Sequence, residues 1–253
     1  MRRYIYNYQT VVGFSQPVKQ HAVLLRALPM IGSYMEVVEE HLLISPHFHL
    51  QRGTDQLGNR IAYGCQHEDH ESLVYVSTGI VSMDDYRVTI DSIPLMVYRE
   101  PTPLTFLSES DLAEVGAIPD EACDICHHVY QIMRYAPKVT TTDTPASKVL
   151  EMRQGVCQDY AHLMIALCRT KGMAARYVCG MMEGEGETHA WVEVCDGKKW
   201  VGFDPTHDVE IKQGYVKLAH GRDAADCPVN RGIYVGSASQ TTEVHVLLKE
   251  IDS

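Results

Sequence analysis

Hydrophobic and polar positions alternate with a period of two through the first hundred or so residues, in stretches such as Val23-Leu24-Leu25-Arg26-Ala27-Leu28 and Leu73-Val74-Tyr75-Val76. A strand turns successive side chains to opposite faces, so this period predicts strands, with Asp55-Gln56-Leu57-Gly58-Asn59 as the clearest turn between them. The start, Tyr4-Ile5-Tyr6-Asn7-Tyr8-Gln9, reads the same way. Several short strands at this spacing predict a β-sandwich domain over residues 1–103, because a sheet with one apolar face needs a second layer to cover it. Arg99-Glu100-Pro101-Thr102-Pro103 then breaks any ladder, since proline lacks an N–H and constrains its predecessor, and reads as a linker.

Beyond it the period lengthens to that of a helix. Ala122, Cys126, Val129 and Met133 fall on one face, with Pro119 and Asp120 near the start. A second helix is expected from Cys157 to Arg169, with Cys157, Ala161, Met164 and Cys168 on one face and Lys171-Gly172 as its stop. Strand-like runs follow at Ala175–Val178, His189–Val194 and Trp200–Phe203. Helices followed by strands make residues 104–253 an α+β domain, and the whole chain α+β.

Composition narrows the function. The 253 residues are 45% hydrophobic and 22% charged, which is ordinary for a folded globular protein. A formal net charge of -11 disfavours nucleic acid and anionic membrane as partners, since both are polyanions. No basic start is followed by an apolar core, and no run approaches the roughly 18 apolar residues of a membrane helix, so a soluble, cytoplasmic protein is expected. Eight cysteines in this length are too sparse for a disulfide scaffold and are expected to be reduced.

One of them stands apart. In Gly155-Val156-Cys157-Gln158-Asp159-Tyr160-Ala161 a glycine turn delivers a cysteine to the first turn of an apolar-faced helix. Unpaired N–H groups and the positive dipole end there favour a thiolate, and the same groups can receive an oxyanion. In Thr188-His189-Ala190-Trp191-Val192-Glu193-Val194, alternation sets His189, Trp191 and Glu193 on one face, with His189 at the strand's start. Trp200-Val201-Gly202-Phe203-Asp204-Pro205-Thr206 ends a strand on an aspartate, joined to the previous one through Asp196-Gly197. Cys157, His189 and Asp204 thus supply a nucleophile, a general base and a carboxylate to orient the base.

These three segments together resemble the transglutaminase-like superfamily, in which a Gly-x-Cys helix start, a His-Ala-Trp strand and a Trp-x-x-x-Asp-Pro-Thr strand recur. The likeness is strong over Thr144–Thr206 and looser in Gly221–Gly236, and through Asp55-x-x-Gly58-Asn59 the first domain is similar to the amino-terminal β-domain of the bacterial branch. It implies a papain-like core with Cys157, His189 and Asp204 as its triad, and a cysteine peptidase or amidase working through a thioester on a peptide or amide-bearing substrate, with no cofactor. Transfer of the acyl group to an amine, or a non-catalytic binding role on the same fold, are the alternatives. Animal members carry a tryptophan upstream of the nucleophile to hold the oxyanion, and no tryptophan precedes Trp191 here, so Tyr135, Gln158 and Trp191 stand as oxyanion or substrate-site candidates.

Other signals are read as structural. Cys123-Asp124-Ile125-Cys126-His127 fits haem attachment or half a zinc site, but Cys126 lies on the helix's apolar face and no second ligand pair follows. His47, His49, His67 and His70 have nothing to fix their mutual approach, so no metal is expected. Glu183-Gly184-Glu185-Gly186-Glu187 runs into His189 as a mobile acidic loop, which would favour a cationic substrate.

Overall fold

The computed structural model describes residues 1–252. In chain order the first strands are β1 (Arg2–Leu25), β2 (Met35–Ser45), β3 (Gln51–Thr54), β4 (Arg60–Gln66), β5 (His70–Met83) and β6 (Arg87–Thr89). Then come α1 (Glu109–Val115), α2 (Ala122–Ile132), β7 (Arg134–Tyr135), α3 (Ala146–Met152), β8 (Gln154–Gly155) and α4 (Cys157–Thr170). The chain closes with β9 (Ala175–Met182), β10 (Gly184–Gly186), β11 (His189–Cys195), β12 (Lys199–Asp204), β13 (Val209–Glu210), β14 (Tyr215–Gly221), β15 (Asn230–Val235) and β16 (Gln240–Ile251). The fold is α+β, mostly strand.

The period of two in β1 is realised: Tyr4, Tyr6, Tyr8, Thr10, Val12 and Phe14 all point into the core. Where the strand pattern predicts a sandwich, hydrogen bonding describes one curled eight-stranded sheet. The cause is β1, whose 24 residues outrun an ordinary strand. Its first half lies between β16 and β5, and after the irregularities between Gly13 and Ala22 its second half lies between β15 and β4.

The six-stranded sheet runs β13-β12-β11-β9-β14, with β6 also on β12. On one of its faces Tyr177, Ala190, Val192 and Val194 share a core with α2, α3 and α4. On the other, Val178, Met181, Trp191, Val216 and Leu218 pack with the inward side chains of β1 and β5. The long sheet therefore finds much of its covering layer in residues far along the chain. A cut at 103/104 also leaves strands on both sides: β6 pairs with β12, and β10, β15 and β16 pair into the long sheet. The Arg99–Pro103 stretch has no ladder, as its prolines require, yet Thr102 is buried and Arg169 of α4 bonds the neighbouring Tyr98 carbonyl and Thr105 hydroxyl, so it is held rather than free.

Glu193 pins the two sheets where they meet. It is fully buried and accepts bonds from Arg176 Nε at 2.5 Å, Lys217 Nζ at 2.8 Å and the Tyr86 hydroxyl at 2.7 Å. Burial alone would raise its pKa, but the two cations hold it down at about 2. Trp191 Nε1 donates to the same Tyr86 hydroxyl at 3.0 Å.

Candidate active site

Cys157 opens α4, and the preceding residues are shaped around that opening. The Val156 N–H and the Thr140 hydroxyl each donate to Asp159 Oδ2 at 2.7 Å, which ties the turn to the helix's first residues. A Cβ at Gly155 would overlap the Asp159 side chain, so glycine is required for this close approach. Helix geometry leaves the Cys157 and Gln158 backbone N–H groups without intrahelical acceptors. The Cys157 side chain is partly exposed to the cleft.

His189 opens β11 and Asp204 closes β12, two adjacent antiparallel strands. His189 Nε2 bonds Asp204 Oδ2 at 2.7 Å, and Cys157 lines the same cavity as His189. Burial disfavours the charged imidazole, but the Asp204 carboxylate and the Cys157 sulfur outweigh it and push its pKa up to about 10. With Nε2 engaged by the carboxylate, Nδ1 is the ring atom left for the sulfur. Asp204 has no exposure to solvent, and burial would raise its pKa, but bonds from His189 and His207 drive it well below the carboxylate range. The structure thus pairs His189 with Asp204 and sets Cys157 on the wall of the same cavity as His189.

Two further side chains on Asp204 escaped the sequence reading. His207 Nδ1 bonds Oδ2 at 2.7 Å and the Tyr215 hydroxyl donates to it at 2.8 Å, while the Thr206 N–H donates to Oδ1 at 2.9 Å. The Asp-Pro-Thr-His run carried a local hint of His207. Tyr215 had none, because it arrives from β14. Among the described residues His189, Asp204 and His207 are also the one group within metal-ligand reach of one another, and their facing atoms already bond each other.

The other candidates divide. Tyr135 is brought beside Cys157 by the parallel pairing of β7 with β8, Tyr135 opposite Gly155. It lines a cavity of about 880 Å³ together with Cys157, Gln158, His189, Thr206 and His207. Burial, with Cys157 and Glu187 nearby, raises its phenol pKa. Gln158 lines the same cavity, with its side-chain amide donating to the Thr142 carbonyl at 3.1 Å. Trp191 does not reach it. Its side chain is wholly buried between the sheets with its N–H on Tyr86, because alternation turns it into the inter-sheet core; it is a packing residue, not an oxyanion donor. Cys126 is buried in the helical core, and burial pushes its thiol up. His70 stacks on His21, with His21 Nδ1 3.0 Å from His70 Nε2.

Comparison with known proteins follows the same lines. The transglutaminase-like superfamily description matches residues 111–205, and the bacterial transglutaminase-like N-terminal region matches residues 4–82. An uncharacterized protein of Mycobacterium tuberculosis is 36% identical over 165 residues, 58% of this chain and 51% of its own length. The chain therefore spans about half the length of that relative. The human peptide-N(4)-(N-acetyl-beta-glucosaminyl)asparagine amidase is 29% identical over 122 residues, 47% of this chain and 17% of that one. A solved Cytophaga hutchinsonii protein, provisionally described as a cysteine protease, shares the fold with a TM-score of 0.81 at 24% identity, covering 100% of this chain and 91% of that one.

Proposed function

This chain belongs to the transglutaminase-like superfamily, and from that premise we propose that it is a thiol-dependent hydrolase that cleaves an amide or peptide bond through Cys157, His189 and Asp204. The observation that carries the reading is the bond from His189 Nε2 to the buried Asp204 at 2.7 Å, with Cys157, at the helix start, lining the same cavity as the ring. A relative named as an amidase lends support to an amide as the bond addressed.

In the proposed reaction the Cys157 sulfur, its proton held by His189, attacks the substrate carbonyl. The oxyanion is met by the unpaired N–H groups at the start of α4, with the Tyr135 phenol as a side-chain donor. His189 passes its proton to the departing amine as the C–N bond breaks, which leaves a thioester on Cys157. It then takes a proton from water, whose oxygen attacks the thioester, and the acid leaves as the thiol is restored. Asp204 keeps the ring in the tautomer each step needs. The cavity, about 880 Å³, is wide enough to admit water as the second nucleophile.

The test is product analysis on a glutamine-containing peptide, with and without a primary amine. Released ammonia or a cut peptide without added amine is the expected result. Product formed only when the amine is present would replace hydrolysis by acyl transfer, and no thioester in either case would remove the enzyme.

A further inference from the structure

Resting on the thiol-hydrolase reading, we propose that the substrate is an extended basic peptide that docks as an added strand along the free edge of β10. This strand is the end of the eight-stranded sheet: Gly184, Glu185 and Gly186 pair with Leu248, Leu247 and Val246 of β16, and with no other strand among the described residues. A strand paired on one side leaves alternate N–H and C=O groups pointing outward, the template on which an extended peptide adds. All three residues line the cavity that holds Cys157 and His189. A peptide on this edge therefore lies beside the nucleophile.

Gly186 is the second observation. Its φ is not positive, and a Cβ built on it meets nothing within 4 Å. Neither the turn nor the packing of the chain itself asks for glycine there. A bare backbone facing the cleft does admit the close approach of another backbone.

Charge selects the occupant. Glu183, Glu185 and Glu187 all line the cavity and form no ion pair among the described residues, and Lys138 is the one lysine or arginine on its walls. Three carboxylates against one ammonium favour lysine- or arginine-bearing strands and repel acidic ones. The glutamates sit on alternate positions, so side chains read charge while the backbone edge between them reads conformation.

The test uses the full chain carrying Cys157→Ala, so that binding is read without turnover, and a fluorescent capped peptide of lysine, glutamine and alanine followed by anisotropy. Each backbone N–H of the peptide is methylated in turn. Methylation at every second position across the bound stretch is expected to weaken binding about fivefold or more, and at the positions between by much less. Replacing its lysines by glutamates should weaken it about tenfold at low salt, with the difference shrinking as salt is added. Gly186→Val should weaken it at least about tenfold with the melting temperature unchanged, because only the incoming strand meets the new side chain. A flat methylation profile, no binding of the basic peptide, or equal affinity for Gly186→Val would each overturn the proposal. These readings need no catalysis, so a wrong triad would leave them standing, and a correct triad would not rescue them.

Discussion

Asp204→Asn is the substitution that separates a working triad from three side chains that merely meet. In the wild type Asp204 accepts bonds from His189 and His207 at 2.7 Å and from the Tyr215 hydroxyl at 2.8 Å, all on one oxygen without solvent. His189 stands at about 10 against an ordinary 6.5, a preference for the protonated ring worth about 5 kcal/mol. Burial opposes that preference, so the carboxylate and the sulfur supply it. Asparagine removes the charge while keeping the shape. With the carboxylate's charge gone, the His189 pKa should fall by about one pH unit or more, at least about 1.4 kcal/mol.

Because this folded pKa is raised, the stability that protonated His189 contributes is complete below about 6.5 and is lost as pH rises through about 10. In the variant the loss begins at the same pH but is complete earlier, because only the folded pKa has moved. NMR titration of the His189 ring reads the shift directly, and kcat/KM on a fluorogenic peptide should fall about 10³- to 10⁴-fold. A ring that titrates within about half a pH unit of wild type, with turnover down by less than about tenfold, would refute the role given to Asp204.

Cys157→Ala should abolish hydrolysis and leave the melting temperature within about 2 °C, since a small, partly exposed side chain is lost; residual turnover at the wild-type rate would reassign the nucleophile. Tyr135→Phe should lower kcat about tenfold with KM little changed if the phenol meets the oxyanion, and an unchanged kcat would make it a wall of the cleft. Glu193→Gln should cost about 3–5 kcal/mol by chemical denaturation, because Arg176 and Lys217 are left buried beside a neutral group. The folded pKa of Glu193 is depressed to about 2, so the stability it contributes is present above its ordinary value of 4.5 and is lost as pH falls through about 2, which melting temperatures across acid pH in wild type and variant will check. Gly155→Ala should destabilise by about 1–3 kcal/mol, because its Cβ meets the Asp159 side chain.

Much of the site is local and was therefore legible from residues alone. A glycine before a cysteine at the first turn of an apolar-faced helix, and an alternation that seats His189, Trp191 and Glu193 on one strand face, depend on dihedral preference and side-chain period, which act over a few residues. The α+β order of elements follows for the same reason. What lies behind the imidazole did not follow. Tyr215 reaches Asp204 because β14 pairs with β9, and Trp191 is a packing residue because the face it shares with His189 meets the inward tyrosines of β1. The return of β16 to β1 across more than two hundred residues is likewise a long-range choice. Pairing and burial between distant segments are settled by which apolar faces can cover each other, and no period within a segment encodes its partner.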